Sequence, residues 1–299
     1  MTILTNDILL RAAEKVGIDL AGIVDIWAFE DFGRKVKEND IEDLAFFDGK
    51  LSDRFDYLSV WSETKGIISF GMAYYSHVPH PADGKRRGII STASYGEDYH
   101  TVLQRKAQEL MDEITKECPM NYRIFVDTGN LSDRALAYCA GLGFYGKNNF
   151  LINEKYGSYI FLGHILVDEM LTRFVMPLEN KCGGCEICHK ACPNGCYGDK
   201  MIDYERCISY QTQKGNISDS KGYLYGCDLC QVSCPHNIGI PSGLHEEFSA
   251  DAEFAYPELE GIISMEKEDF SRIYGKSALA WRRLGNLKKN AEAVLKKGE

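Results

Sequence analysis

At 299 residues the chain can hold one large domain or two modest ones. Its 44% hydrophobic and 26% charged residues are an ordinary globular balance, with no low-complexity run or repeat of solenoid length. A formal net charge of −10 argues against a protein that grips nucleic acid over its whole surface, and leaves room only for a local basic patch. The start, MTILTNDILLRAAEKVGIDL, has neither a basic n-region nor an unbroken apolar h-region. The longest apolar piece, YIFLGHILV, falls well short of the ~20 residues that span a bilayer. The expectation is a soluble cytoplasmic protein with no membrane partner.

Helix and strand signals alternate along the first 175 residues. NDILLRAAEKVGI has helical periodicity, AGIVDI reads as a short buried strand, EDFGRKVKENDIEDLAFF as helical, and GIISFGMAYY as a strand. GEDYHTVLQRKAQELMDEITKEC is a long amphipathic helix with Val102, Leu103, Leu110, Met111 and Ile114 on its apolar face. The strand NYRIFVDT, the helix LSDRALAYCAGLG and the strands NNFLIN and SYIFLGHILVD follow. The fold class is a layered α/β (α+β) domain over residues 1–175, a ferredoxin-like module over 176–240 and a short helical, basic tail over 241–299.

Polar residues at strand ends are the first site candidates. Asp127 stands where FVDTG runs out of a strand, and open α/β sheets place ligands in the crevice at strand carboxyl ends. Position alone favours a simpler role, capping the next helix or closing an Asx-turn. GLGFYGKN reads as a turn with Lys147 as a loop charge, and SYGEDYH as a helix start whose Glu97 and Asp98 suit the dipole.

The cysteines carry the strongest signal. Of eleven, only Cys118 and Cys139 lie outside the span from Cys182 to Cys234, and both sit in helical patterns as core hydrophobes. Clustering at short fixed spacing without an export signal favours metal ligation over disulfides. Cys182-x2-Cys185-x2-Cys188-x3-Cys192-Pro193 is the bacterial ferredoxin spacing, in which three cysteines hold one cubane and the fourth crosses to the other. Cys227-x2-Cys230-x3-Cys234-Pro235 repeats it with the first member displaced to Cys207. The assignment is Cys182, Cys185, Cys188 and Cys234 on one 4Fe-4S cluster, and Cys192, Cys207, Cys227 and Cys230 on a second. Structural zinc competes for CxxC pairs, but does not need a triplet followed by Cys-Pro, repeated in crossed form. Cys196 has no place among the eight; it reads as a spare thiol packed near a cluster, with a redox switch as the alternative.

Together these pieces resemble the epoxyqueuosine reductase family, the cobalamin-dependent iron–sulfur enzymes of tRNA queuosine biosynthesis. The resemblance is carried by SYGEDYH (94–100), FVDTGNLSDRALAYCAGLGFYGKNNFLI (125–152), YGSYIFLGHILVD (156–168), CGGCEICHKACP, RCISYQT (206–212), YGCDLCQVSCPHN (225–237) and SALAWRRLGNLKKNA. It implies a first domain that binds base-off cobalamin beside one cluster, and Asp127 as proton donor. It also implies Arg54, Lys147, Ser158, Ser209 and Gln211 as cofactor contacts, with a surface arginine as the plainer reading of Arg54. The implied partners are tRNA bearing epoxyqueuosine and an external electron donor of ferredoxin or flavodoxin type. Family members often continue into a helical-repeat domain, so the chain reads as a short form. RNA contact is then expected from Arg282, Arg283, Lys288 and Lys289 in the tail and from Lys85, Arg86 and Arg87. Two rivals stand beside this reading: a corrinoid reductive dehalogenase, which shares the cofactor pair but which the VDTG match and the lack of an export signal oppose, and an electron carrier or corrinoid-reactivating protein, in which Asp127 would be dispensable and no tRNA would bind.

Overall fold

The computed structural model describes residues 3–38, 51–127, 130–172, 177–198, 202–215, 217 and 219–297. The strands, in chain order, are β1 (Leu20–Ile23), β2 (Gly66–Ala73), β3 (Ile89–Ile90), β4 (Tyr122–Phe125), β5 (Phe144–Tyr145), β6 (Leu151–Ile152), β7 (Ile160–Val167) and β8 (Tyr223–Tyr225). Two compact units divide the chain, Met1–Ala73 with His100–Gly184 and Tyr74–Tyr99 with Cys185–Glu299. The first unit is therefore interrupted in sequence, and the interrupting segment belongs with the cysteine-rich half.

The first unit is built on a four-stranded sheet of order β1-β2-β7-β4, antiparallel at every pairing. Such a sheet has no single carboxyl edge, so the strand-end crevice of parallel sheets does not account for Asp127. GIISFGMA in β2 is buried along its whole length. Its two-residue period sends Ile67, Ser69 and Gly71 to one face and Ile68, Phe70 and Met72 to the other.

The helices here are α1 (Asn6–Val16), α2 (Ile26–Glu38), α3 (Tyr57–Val60), α4 (Tyr99–Glu117) and α5 (Asp133–Cys139). Phe29 and Val36 of α2 and Ala135, Leu136 and Cys139 of α5 join Ile67 and Leu166 in one apolar cluster on the first face. In α4 the expected stripe is buried, Val102, Leu103, Leu110, Met111 and Ile114 with Ala107 between them. Each large side chain so buried contributes about 1.5–3 kcal/mol. Residues 39–50, the second half of the helical stretch expected after β1, lie outside the described residues.

In the second unit the helices are α6 (Ile187–Ala191), α7 (Ile208–Lys214), α8 (Leu229–Val232), α9 (Ala252–Ala255), α10 (Leu259–Ser264), α11 (Lys267–Tyr274) and α12 (Leu284–Lys297). β3 and β8 pair in parallel, and Ile90, Leu224, Leu259, Ile262, Tyr274, Leu279 and Leu287 form the core around them. Buried Asn290 of α12 donates to Thr212 O at 2.7 Å and Leu224 O at 2.9 Å, locking the tail onto α7 and β8. SYGEDYH is stitched to later chain within this unit, Glu97 N–H to Glu247 O at 2.6 Å and Asp98 N–H to Lys276 O at 2.7 Å. Gly96 has φ +65°, and a Cβ there would stand 2.0 Å from Glu247 O, so both conformation and space demand glycine. Among the described residues no helix is long and apolar enough to cross a membrane.

Candidate active site

Each run of cysteines is mounted on a short helix. Cys188 lies within α6, Cys230 within α8, and the two helices pack together. Cys207 stands at the start of α7 and Cys234 before the turn Pro235–Asn237, with the proline in its first position. Cys185 and Cys192 flank α6, Cys227 precedes α8, and Cys182, at the end of the first unit, donates its N–H to Asn180 Oδ1 at 2.8 Å. All eight are free thiols, Cys188 and Cys234 buried and the rest half-buried. No three described His, Cys, Asp or Glu side chains converge as on a single metal ion. Ligands of a cubane bind separate irons and need not converge.

The thiols' surroundings suit a cluster. Burial pushes the Cys227 thiol up, and that of Cys230 up to about 12, because a bare thiolate is poorly solvated there. Iron, when bound by Cys227 and Cys230, would offset this cost, and neither thiol has a lysine or arginine among the described groups that shift it. Cys207 is held below the usual thiol range, first by a hydrogen bond from Cys196, which outweighs burial, and then by the backbone N–H groups of Tyr210 and Ser209. Ser209, half-buried at the start of α7, thus already touches a ligand through its main chain. Tyr197 gives its hydroxyl hydrogen to Cys230 and stacks on His189 at 4.4 Å. Asp228, between Cys227 and Cys230, is 5% exposed and accepts from Ser91 Oγ at 2.5 Å, Thr92 N at 2.8 Å and Thr92 Oγ1 at 3.1 Å. Burial pushes its carboxyl up, and those three donors oppose the shift.

In the first unit Asp127 follows β4 with φ +52°, a left-handed conformation that aspartate tolerates better than most residues. The capping role does not apply, because Ser132 holds the N-cap position of α5. The Asp127 carboxylate, 44% exposed, faces His100 Nε2 at 3.4 Å. His100 begins the buried stripe helix α4, and its side chain is 18% exposed. Sequence reasoning missed His100; SYGEDYH contained it, but nothing local linked it to a loop 27 residues away.

Arg54 is no surface arginine, its side chain being 12% exposed. Its Nη2 donates to Leu131 O at 2.8 Å, its own carbonyl accepts from Ser132 N at 2.9 Å, and Asp133 lies 3.9 Å away. Arg54 therefore fastens the loop between Asp127 and α5. Asp133 Oδ1 is also 3.1 Å from His164 Nε2 of β7, without hydrogen-bond geometry, so both ring nitrogens of this fully buried histidine stay unsatisfied. Lys147 is half-buried in the turn closed by Gly146 N–H to Phe150 O at 2.8 Å, beside Asn148, whose buried Nδ2 has no partner. Ser158 is 1% exposed. In the second unit Gln211 Nε2 donates to Glu205 O at 2.9 Å, while its buried Oε1 is unsatisfied.

The basic segments differ from expectation. Lys85 pairs with Glu258, Arg86 with Glu260 at 2.5 Å, and Arg87, 1% exposed at its side chain, with Asp83 at 2.6 Å and Glu253 at 2.8 Å. Their charges are spent on the protein's own carboxylates. In the tail Arg282 donates to Gln213 Oε1 at 2.9 Å, and Arg283, Lys288 and Lys289 form no ion pair among the described residues.

The family model for epoxyqueuosine reductase QueG (DUF1730) matches residues 54–128, and that for a 4Fe-4S double cluster binding domain matches 181–237. An epoxyqueuosine reductase of Lactococcus garvieae is 40% identical over 82% of this chain and 72% of its own length. One from Listeria monocytogenes is 34% identical over 96% and 79%. A crystal structure of an epoxyqueuosine reductase with an epoxyqueuosine-modified tRNA-Tyr stem loop superposes with a TM-score of 0.87 at 32% identity, covering 97% of this chain and 80% of that one. The Bacillus subtilis enzyme, solved with its catalytic aspartate loop swung out of the active site, superposes with a TM-score of 0.86 at 30% identity, again over 97% and 80%.

Proposed function

The chain belongs to the epoxyqueuosine reductase family, and from that membership we propose that it reduces epoxyqueuosine in tRNA to queuosine, with cobalamin as a cofactor beside two 4Fe-4S clusters. The reaction takes two electrons and two protons, opens the epoxide to an alkene and releases its oxygen as water. When bound, cobalamin supplies a low-potential cobalt that acts as nucleophilic or radical partner for the epoxide carbon, chemistry no side chain offers. The buried, unsatisfied Nδ2 of Asn148, next to Lys147, suits a ligand whose rim of amide groups offers acceptors. Lys147, Ser158, Ser209, Gln211 and Arg54 are the residues proposed to hold it. Cys182, Cys185, Cys188 and Cys234 would hold one cluster and Cys192, Cys207, Cys227 and Cys230 the other, and when bound the pair would supply single-electron transfer from an external carrier of ferredoxin or flavodoxin type, in the cytoplasm where tRNA is modified.

Asp127 is the proposed proton donor. The observation that carries this reading is the Asp127–His100 pair at 3.4 Å, a carboxyl group beside a second titratable group. A carboxyl donates near neutral pH only when its pKa is raised, and covering the exposed side chain on substrate binding does that by desolvation. One carboxyl carries one proton and the reaction consumes two. His100, when protonated, returns one to Asp127 Oδ2 and is itself recharged from water. The test is anaerobic reconstitution with iron, sulfide and cobalamin, followed by reduction and incubation with an epoxyqueuosine tRNA stem loop. Queuosine should appear in the digested RNA; a fully loaded, reduced protein that leaves the epoxide intact would refute the assignment.

A further inference from the structure

We propose that His164 is a positioning residue for Asp127: with Ser69 it anchors Asp133, and through Asp133 and Arg54 it holds the loop that carries the proton donor. The inference rests on the reading of Asp127 as that donor. His164 interrupts β7, an otherwise apolar strand, and is fully buried. Neither of its ring nitrogens is hydrogen-bonded, nor is the Oγ of Ser69, which is equally buried. Ser69 stands opposite His164 in the pairing of β2 with β7, so the two side chains are neighbours on one face of the sheet. Three orphaned polar atoms thus share one place in the core. An apolar residue at 164 would remove the cost of burying them unpaired. A core that keeps such a cost points to a role beyond packing.

Position says what that role is. On its other edge β7 pairs with β4, and there His164 faces Phe125, the last residue of β4 before Asp127. Asp133, the first residue of α5, stands at the far end of the Asp127 loop, and its Oδ1 is 3.1 Å from His164 Nε2. His164 therefore sits against both ends of the loop. Asp133 Oδ2 lies 3.9 Å from Arg54 Nη2, which donates to Leu131 O at 2.8 Å, while Arg54 O accepts from Ser132 N at 2.9 Å. A neutral imidazole has one donor and one acceptor. With Nε2–H aimed at Asp133 Oδ1 and Nδ1 accepting from the Ser69 hydroxyl, a small rotation of ring and carboxylate satisfies all three orphans. The same rotation ties the start of α5 to the sheet. That tie fixes both ends of the loop, and so the place from which Asp127 presents its proton to substrate.

The test compares wild type, His164→Phe, His164→Gln, Asp133→Ala and the His164→Phe/Asp133→Ala double variant after anaerobic reconstitution. Melting temperature, amide hydrogen exchange at Ser132, and kcat and KM on the epoxyqueuosine stem loop are measured, with kcat taken per loaded cobalamin. Phenylalanine fills the site without polar atoms, so His164→Phe should melt no lower than wild type. Its Ser132 amide should nevertheless exchange several-fold faster, and kcat should fall roughly 10–10²-fold with KM unchanged, the mark of a misplaced catalytic group. Glutamine returns a donor at the reach of Nε2 and should recover most of both losses. Because the residues act in series, the double variant should be no slower than the slower single variant. Wild-type kcat in His164→Phe, a glutamine variant no better than phenylalanine, or additive losses in the double variant would each overturn the proposal. Should His164→Phe not fold, Asp133→Ala decides, since unchanged Ser132 exchange and kcat there would equally overturn it. A loaded wild type that leaves the epoxide intact would instead refute the reading of Asp127, and Ser132 exchange would still decide whether His164 anchors the loop.

Discussion

Replacing Asp127 by asparagine separates chemistry from structure because the fold tolerates the change. Asp127 sits at φ +52°, where asparagine is as comfortable as aspartate, so the loop keeps its path. The change weakens the contact to His100 at 3.4 Å, between side chains 44% and 18% exposed. Such part-exposed pairs contribute about 0–1 kcal/mol. Loss of a general acid lowers turnover ~10²–10⁴-fold, or about 2.7–5.5 kcal/mol of barrier. The two effects differ severalfold in energy, so one sample distinguishes them. Melting temperature, iron and cobalamin content and single-turnover rate should be measured on the same anaerobic preparation. Cluster content and cofactor loading should match wild type, melting should shift by a degree or so at most, and the rate should collapse. A fully loaded variant that turns over within about threefold of wild type would refute the role of Asp127, and with it the proton path through His100.

Much of the architecture was legible because the pattern is local. The α4 stripe repeats at helical spacing, β2 and β7 are runs apolar at most positions, and these elements emerge as expected. The antiparallel order was not legible, because alternating helix and strand signals fit either direction and pairing is a long-range matter. Nor was the membership of Tyr74–Tyr99, which joins the cysteine-rich half through a two-residue strand, Ile89–Ile90, too short to signal itself. Its further ties are single contacts such as Ser91 to Asp228, across 137 positions.

The site divides the same way. Cluster cysteines are legible because a cubane fixes ligand spacing along the chain. Asp127 stood out by its motif, but its partner His100 comes from the far end of another helix, and only tertiary structure joins them. Lys85, Arg86 and Arg87 looked like a free basic patch, since charge in a sequence says nothing of partners 166 to 174 residues away. Cys196 was marked by sequence as a spare thiol near a cluster, and the structure sets its sulfur 3.2 Å from Cys192 Sγ.

Three further predictions concern the clusters, the acid range and RNA. Cys234→Ala should abolish the signal of the cluster held mainly by Cys182, Cys185 and Cys188 and spare the other; loss of the opposite signal would disprove the crossed ligation. The Arg87 guanidinium holds Asp83 down to about 2, below its ordinary value, so the pair's stabilisation is complete above pH ~4 and disappears as pH falls towards ~2. Arg87→Met should therefore lower the melting temperature at neutral pH and flatten its dependence between those limits, and an unchanged acid slope would count against the pairing. For RNA, a chain of net charge −10 must concentrate its attraction in the cations it leaves unpaired. Arg283 and Lys289 are exposed without ion pairs among the described residues, whereas Arg86 is already bound to Glu260. Charge reversal at Arg283 and Lys289 should weaken binding of the tRNA stem loop and cut the slope of log K against log salt by roughly two units. Reversal at Arg86 should leave that slope nearly unchanged, because its charge is neutralised before RNA arrives. Equal losses at the two places would mean that RNA competes successfully for the paired cations, and the tail would lose its claim to the contact.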